Sequence, residues 1–188
     1  IECVIKKLIR SAMRQIFLDT ETTGMGGENR IVEIGALEML DRKLTGNNFH
    51  CYLNPERESE PMALAVHGLT TQFLQNKPKF LDISSELLKF IAGAELIAHN
   101  AVFDVRFINY ELRLARLQSL EEYCSSITCT LKIARKLHPG KSNKLDSVCE
   151  RYQVNNSERV KHGAIIDAKL CAEVYLAMTH KHEVSKYK

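Results

Sequence analysis

Gln15-Ile16-Phe17-Leu18-Asp19-Thr20-Glu21 decides the fold of this chain. Its apolar first half predicts a buried strand. Its acidic second half runs into residues 22–29, where three glycines predict a loop. Residues 31–40 predict a second strand, with Ile31, Val32, Ile34, Ala36 and Leu37 apolar. Asp41-Arg42-Lys43 and Gly46-Asn47-Asn48 bracket a turn, and residues 49–53 return as a third strand. Connections this short favour antiparallel pairing, because a parallel crossover needs a dozen residues or more. Downstream, residues 62–75 predict short helical pieces broken at Gly68, and residues 82–91 an amphipathic helix. A short buried strand at 96–99 precedes a helix over 102–114. A last strand is expected at 126–130, then helices over 131–137, 145–152 and 164–178. That order predicts an α/β protein with a mixed five-stranded sheet, three antiparallel strands followed by parallel ones, flanked by helices.

The chain has 188 residues, 45% of them hydrophobic and 26% charged, which fits one soluble domain and excludes wholesale disorder or a coiled coil. No uncharged apolar run reaches the length of a membrane span. The net charge of +3 is too small to argue for a nucleic-acid partner by itself. Six cysteines, at 3, 51, 124, 129, 149 and 171, form no CxxC pair and read as free thiols of a reducing, cytoplasmic setting. Residues 1–12, where Val4, Ile5, Leu8 and Ile9 could form one helical stripe, read as an N-terminal extension. A domain over 13–180 and a short tail over 181–188 complete the chain.

Four carboxylates resist a packing explanation. Asp19 and Glu21 lie two apart on a strand, so both point to one face, together with Phe17. A frayed strand end would let them reach water. Asp104 opens the 102–114 helix on the same stripe as Phe107, Ile108 and Leu112. Asp167 heads a stripe of Leu170, Cys171 and Val174. The helix dipole accounts for an acid in each first turn but not for its place on the apolar side. Acids aimed inward need positive charge, and Lys and Arg look scarce: Arg106 is nearest in sequence to Asp104, Lys169 to Asp167. Divalent cations answer that need. Mg²⁺ or Mn²⁺ takes carboxylate oxygens while keeping positions for water and phosphate. Four carboxylates suit two ions about 3.5–4 Å apart, the arrangement of in-line phosphoryl displacement. His162, five residues before Asp167 across Gly163, could lean over the same site as a base, or be a surface or capping histidine.

The stretch Leu18-Asp19-Thr20-Glu21-Thr22-Thr23-Gly24 resembles the first motif of the DEDD exonucleases. His99-Asn100-Ala101-Val102-Phe103-Asp104 resembles the second. His162-Gly163-Ala164-Ile165-Ile166-Asp167-Ala168 resembles the third in its histidine-containing DEDDh form. The likeness to the proofreading branch of that family extends to residues 31–36, 66–70, 140–146 and 172–179, and covers about 13–179. It implies a ribonuclease H-like fold and 3′→5′ hydrolysis of single-stranded DNA to nucleoside monophosphates. It also implies roles. Asp19 would bridge both metal ions. Glu21 and Asp167 would hold the ion that activates water, with Glu21 also meeting the terminal 3′-hydroxyl. Asp104 would hold the second ion, and His162 would be the general base. Thr20, Val66, His67 and Phe103 would form the pocket for the terminal nucleotides, although an aromatic at position 103 is more often core.

The resemblance implies proofreading during DNA replication, with a single-stranded DNA 3′ end, a replicative polymerase catalytic subunit and a small accessory subunit as partners. Members of that branch continue into a clamp-binding linker and a polymerase-holding segment. Here the sequence stops nine residues after Thr179, which counts against stable attachment. An exoribonuclease trimming RNA 3′ ends would use the same acids. A non-catalytic subunit is disfavoured because all four acids and His162 are present. Arg135, Lys136, Lys141 and Lys144, around Pro139-Gly140, read as a solvated basic loop rather than as phosphate contacts.

Overall fold

The structure, a computed structural model, describes residues 13–159 and 161–184. The expected extension over 1–12 lies outside them. Five strands form one sheet in the order β3-β2-β1-β4-β5: β1 (Arg14–Thr22), β2 (Ile31–Leu40), β3 (Lys43–Tyr52), β4 (Glu95–Ala98) and β5 (Ser126–Cys129). β1 pairs antiparallel with β2, and β2 with β3; β1 pairs parallel with β4, and β4 with β5. The helices are α1 (Pro61–His67), α2 (Thr71–Leu74), α3 (Phe80–Ile91), α4 (Ala101–Leu114), α5 (Thr130–Leu137), α6 (Leu145–Tyr152) and α7 (Ala164–Val184). The expected mixed sheet is therefore the observed one. Among the described residues no helix is long and apolar enough to cross a membrane.

Two boundaries differ by six residues: α7 runs on to Val184 where the sequence predicts an end at 178, and the start of β3 is early. β3 begins at Lys43, not at 49, because the chain reverses within Asp41-Arg42, both at positive φ (46° and 65°). Such a two-residue turn matches the twist of the strands it joins, but its usual signal is Asn-Gly or Asp-Gly. The Gly46-Asn47-Asn48 run that looked like the turn lies inside β3, opposite a register shift between Leu37 and Met39.

Side-chain alternation on β1 builds two cores. Ile16 and Leu18 pack with Leu87, Ile91, Phe107 and Leu112 of α3 and α4. Phe17 points to the other face, with Ile97, Cys171 and Ala172, and meets Tyr175 of α7 edge-on at 5.4 Å. A third cluster joins Ala134, Val148, Cys149, Leu170 and Val174 from α5, α6 and α7. Burial of these faces, at about 25 cal/mol per Å² of apolar surface, holds α4 and α7 against opposite faces of the sheet. Their first turns then reach the carboxyl end of β1.

Candidate active site

β1 and β4 run parallel, with Phe17 beside Ile97, so their carboxyl ends open together. In open α/β sheets ligands gather at that edge. Asp19 and Glu21 continue the Phe17 face toward α7. Thr20, on the α4 side, donates from Oγ1 to Asp104 Oδ1 at 2.8 Å. Asn100 leads β4 into α4 with φ at 72°, a left-handed conformation that Asn tolerates better than most residues. That bend sets Phe103 and Asp104 one turn into the helix. Asp167 lies in the first turn of α7, 3% exposed, its N–H bonded to Gly163 O at 2.9 Å.

All four acids and His162 line one cleft of about 1110 Å³. Carboxylate and imidazole atoms of Glu21, His162 and Asp167 lie within 4.8 Å of one another. Asp19 and Asp104 line the same cleft outside that tightest group. Burial, then the charges of Asp104, Asp167 and Glu21, pushes the Asp19 carboxyl well above its ordinary range. Burial, then Asp167 and Glu33, pushes Glu21 from 4.5 to about 8. Burial raises Asp104 to about 7 against the opposing hydrogen bond from Thr20. Hard oxygen donors this crowded and desolvated fit divalent cations, which remove the repulsion. Burial and the Arg159 charge lower the pKa of His162, so its imidazole is neutral near neutral pH and keeps a lone pair.

Sequence reasoning missed one residue here. Arg159 supplies the positive charge thought scarce. Its Nε donates to Asp167 Oδ1 at 2.6 Å and its Nη2 to Asp167 Oδ2 at 2.5 Å. Its Nη1 donates to Asp146 Oδ2 at 2.6 Å. Burial works against its charge, but the Asp167 and Asp146 carboxylates outweigh it and hold its pKa above the ordinary value. The only available signal was proximity: Arg159 is three residues before His162, in a segment with no periodicity to assign it a face.

The expected nucleotide-pocket residues are also brought together. Thr20, Val66, His67 and Phe103 all line the cleft. His67 is 5% exposed; its Nδ1 accepts from the Leu69 N–H at 2.9 Å, which leaves hydrogen on Nε2, and Nε2 makes no well-formed hydrogen bond among the described residues, although the Thr22 backbone favours its charge. Phe103 is half-buried against Phe107 at 4.8 Å, so it serves the core and the cleft at once. Val66 is exposed and its carbonyl accepts the His162 N–H at 3.3 Å, tying α1 to the segment before α7. Arg135, Lys141 and Lys144, expected to be simply solvated, are exposed yet border the cleft. Arg135 stands on α5; the loop carrying Lys141 and Lys144 is anchored by Asn143, whose carbonyl accepts from His99 Nε2 at 2.9 Å and whose Oδ1 accepts from Arg151 at 3.1 Å.

Comparison with known proteins gives the chain a family and a fold. Residues 16–175 match the family model for exonucleases. The DNA polymerase III subunit epsilon of Escherichia coli K12 is 49% identical over 174 residues, covering 88% of this chain and 71% of that protein. Among solved structures, exonuclease X in complex with 5′-overhanging duplex DNA superimposes with a TM-score of 0.71 at 26% identity, covering 89% of this chain and 92% of that one. A zinc-bound complex of E. coli exonuclease I with single-stranded DNA shares the fold, with a TM-score of 0.81 at 17% identity over 92% of this chain and 42% of that one.

Proposed function

The chain belongs to the exonuclease family, alongside the DNA polymerase III epsilon subunits, and on that premise we propose that it removes nucleotides from single-stranded DNA 3′ ends as a proofreading 3′→5′ exonuclease. The observation that carries this reading is the gathering of Asp19, Glu21, Asp104, Asp167 and His162 in one cleft. We assign the exonuclease domain to the described residues from 13 onward; its last helix, α7, runs through the expected boundary at 180 to Val184. The proposed setting is cytoplasmic, and the proposed partner is a single-stranded DNA 3′ end; the name of the DNA polymerase III epsilon relatives supports a role beside a polymerase, and no stable attachment is proposed.

Asp19, Glu21, Asp104 and Asp167 would hold two divalent cations, Mg²⁺ or Mn²⁺. Bound there, such ions lower the pKa of an attacking water and neutralise charge building on the phosphate and the leaving oxygen. His162 takes the proton of that water. Water oxygen bonds to phosphorus as the bond from phosphorus to the 3′-oxygen of the penultimate nucleotide breaks, giving a nucleoside 5′-monophosphate and a shortened 3′-hydroxyl end. His67 offers its Nε2–H, and Glu21 a carboxylate oxygen, to polar atoms of the terminal nucleotide. Val66 and Phe103 offer apolar surface to its base. Stacking on an aromatic is worth about 1–3 kcal/mol and is tolerant of sequence, as a proofreader requires.

The test is digestion of 5′-labelled single-stranded DNA and RNA of one sequence in Mg²⁺, with and without EDTA. The expected result is a ladder shortening from the 3′ end, faster on DNA and abolished by EDTA. Asp19→Asn should cost roughly a thousandfold or more in rate, about 4 kcal/mol of barrier, without unfolding the protein. Preference for RNA would replace the DNA reading, and cleavage that survives EDTA would overturn the metal-dependent one.

A further inference from the structure

Arg159 is buried among the groups assigned above to metal and proton. Its side chain is 7% exposed and that of Asp167 is 4% exposed, so their two hydrogen bonds are made away from bulk water. Both oxygens of Asp167 accept from this one guanidinium. Nη2 also donates to His162 Nδ1 at 2.9 Å, occupying the lone pair of that ring nitrogen. Nη1 is bonded separately to Asp146, whose side chain is 56% exposed and which stands on α6, apart from the tight group of Glu21, His162 and Asp167.

A divalent cation that takes an Asp167 oxygen competes with Arg159 for it. The carboxylate has lone pairs to spare, but the two positive charges repel across a few ångströms in a poorly solvated site. The fork on Asp167 must loosen or open. The bond to Asp146 gives the guanidinium a second carboxylate on which to remain when it does. Opening the fork also draws Nη2 from His162 Nδ1. Release of the Asp167 ligand and release of the base lone pair are therefore one movement.

We propose that Arg159 is a positioning residue that competes with the divalent cation for Asp167, holding Asp167 and His162 together until the cation binds and then yielding toward Asp146. This rests on the metal-dependent reading above. A purely structural prop would stabilise the fold and leave cation affinity alone. A residue that merely orients Asp167 for the metal would strengthen cation binding. Competition makes the opposite forecast: its removal weakens the cation-depleted protein and tightens cation binding.

The experiment compares wild type, Arg159→Gln and Arg159→Lys after EDTA treatment and dialysis. Mn²⁺ affinity is read by titration calorimetry, and thermal midpoints are read with and without Mn²⁺. Without cation, Arg159→Gln should melt about 5 °C lower, since a buried Asp167 loses its partner. It should bind Mn²⁺ roughly tenfold more tightly, the equivalent of one charged hydrogen bond no longer broken. The midpoint gap should then narrow in saturating Mn²⁺. Arg159→Lys, which keeps the charge but not the fork, should fall between and remains informative if the Gln variant folds poorly. Unchanged or weaker Mn²⁺ binding in both variants, with a midpoint loss that persists in Mn²⁺, overturns the competition. A wild-type protein that takes up no Mn²⁺ overturns the metal-dependent reading itself, whatever the variants do.

Discussion

Replacing Gly35 with alanine should disable the site while leaving the fold in place. Gly35 is buried on β2, directly across from Asp19 of β1. A Cβ at this position would lie 2.5 Å from Ile165 Cα, and closer still to Ile165 N and Ala164 C. These are backbone atoms of the first turn of α7, two residues from Asp167. They cannot rotate aside as a side-chain tip could. Ordinary contact begins at 3.4 Å, so the turn must back away from the sheet by about 1 Å. Asp19 and Asp167 would move apart by a similar amount. Metal–oxygen distances tolerate only about 0.2 Å, and Mg²⁺ demands near-ideal octahedral geometry. A displacement near 1 Å should therefore cost about a hundredfold in kcat and weaken Mn²⁺ binding. Overpacking itself should cost about 1–3 kcal/mol, lowering the melting temperature by several degrees.

Three measurements on Gly35→Ala separate these effects: single-turnover cleavage of a DNA oligonucleotide, Mn²⁺ titration and the thermal midpoint. Gly27→Ala is the control, because nothing among the described residues lies within 4 Å of a Cβ there. It should match wild type in all three. If Gly35→Ala is folded at the assay temperature and its kcat stays within about threefold of wild type, the close approach of α7 does not set the metal geometry.

Glu21→Gln should gain thermal stability over wild type in EDTA, by a margin that widens from pH 5 to pH 8. The folded Glu21 carboxyl titrates near 8 against an ordinary 4.5, so wild-type stability is full below 4.5 and is lost as pH rises toward 8, whereas the amide has nothing to lose. Both proteins carry the same depressed histidines, which cancel in the comparison, and a margin constant with pH would refute the burial argument. Lys141→Ala combined with Lys144→Ala should raise KM for long single-stranded DNA more than for a dinucleotide, and flatten the salt dependence of log KM by roughly 0.7 per lost phosphate contact. Equal effects on both substrates would mean that the basic loop beside the cleft touches no upstream phosphates.

The acids were legible in the sequence because each sits in an element of known period. Alternation on β1 put Asp19 and Glu21 on the Phe17 face, and helical spacing put Asp104 and Asp167 on buried stripes. Both placements hold, Asp104 being 2% and Asp167 3% exposed. Arg159 has no such period, and its partners are chosen by how the segment before α7 folds back. Gly35 did carry a signal, since a glycine inside a strand often marks close approach of another backbone. What approaches it is set by tertiary packing of α7, which no local pattern encodes. The start of β3 was misplaced for a related reason: Asp41-Arg42 adopts positive φ without glycine, while Gly46 sits within the strand.

The first turn of α7 carries two constraints of different physical kind on one carboxylate. Gly35 fixes how near Asp167 comes to Asp19, a steric matter decided by a missing methyl group. Arg159 fixes the charge that Asp167 meets while no cation is there, an electrostatic matter decided by a buried fork. The two separate by sign. Losing the glycine moves a ligand out of range and should weaken cation binding. Losing the arginine removes a rival and should strengthen it. Both losses lower stability in the absence of cation, so stability alone would class them together. Cation affinity tells them apart. The small net charge is uninformative for the same reason that the site works: its acids are balanced locally, by Arg159 within the protein and by divalent cations when bound, and not by an excess of bases over the whole surface.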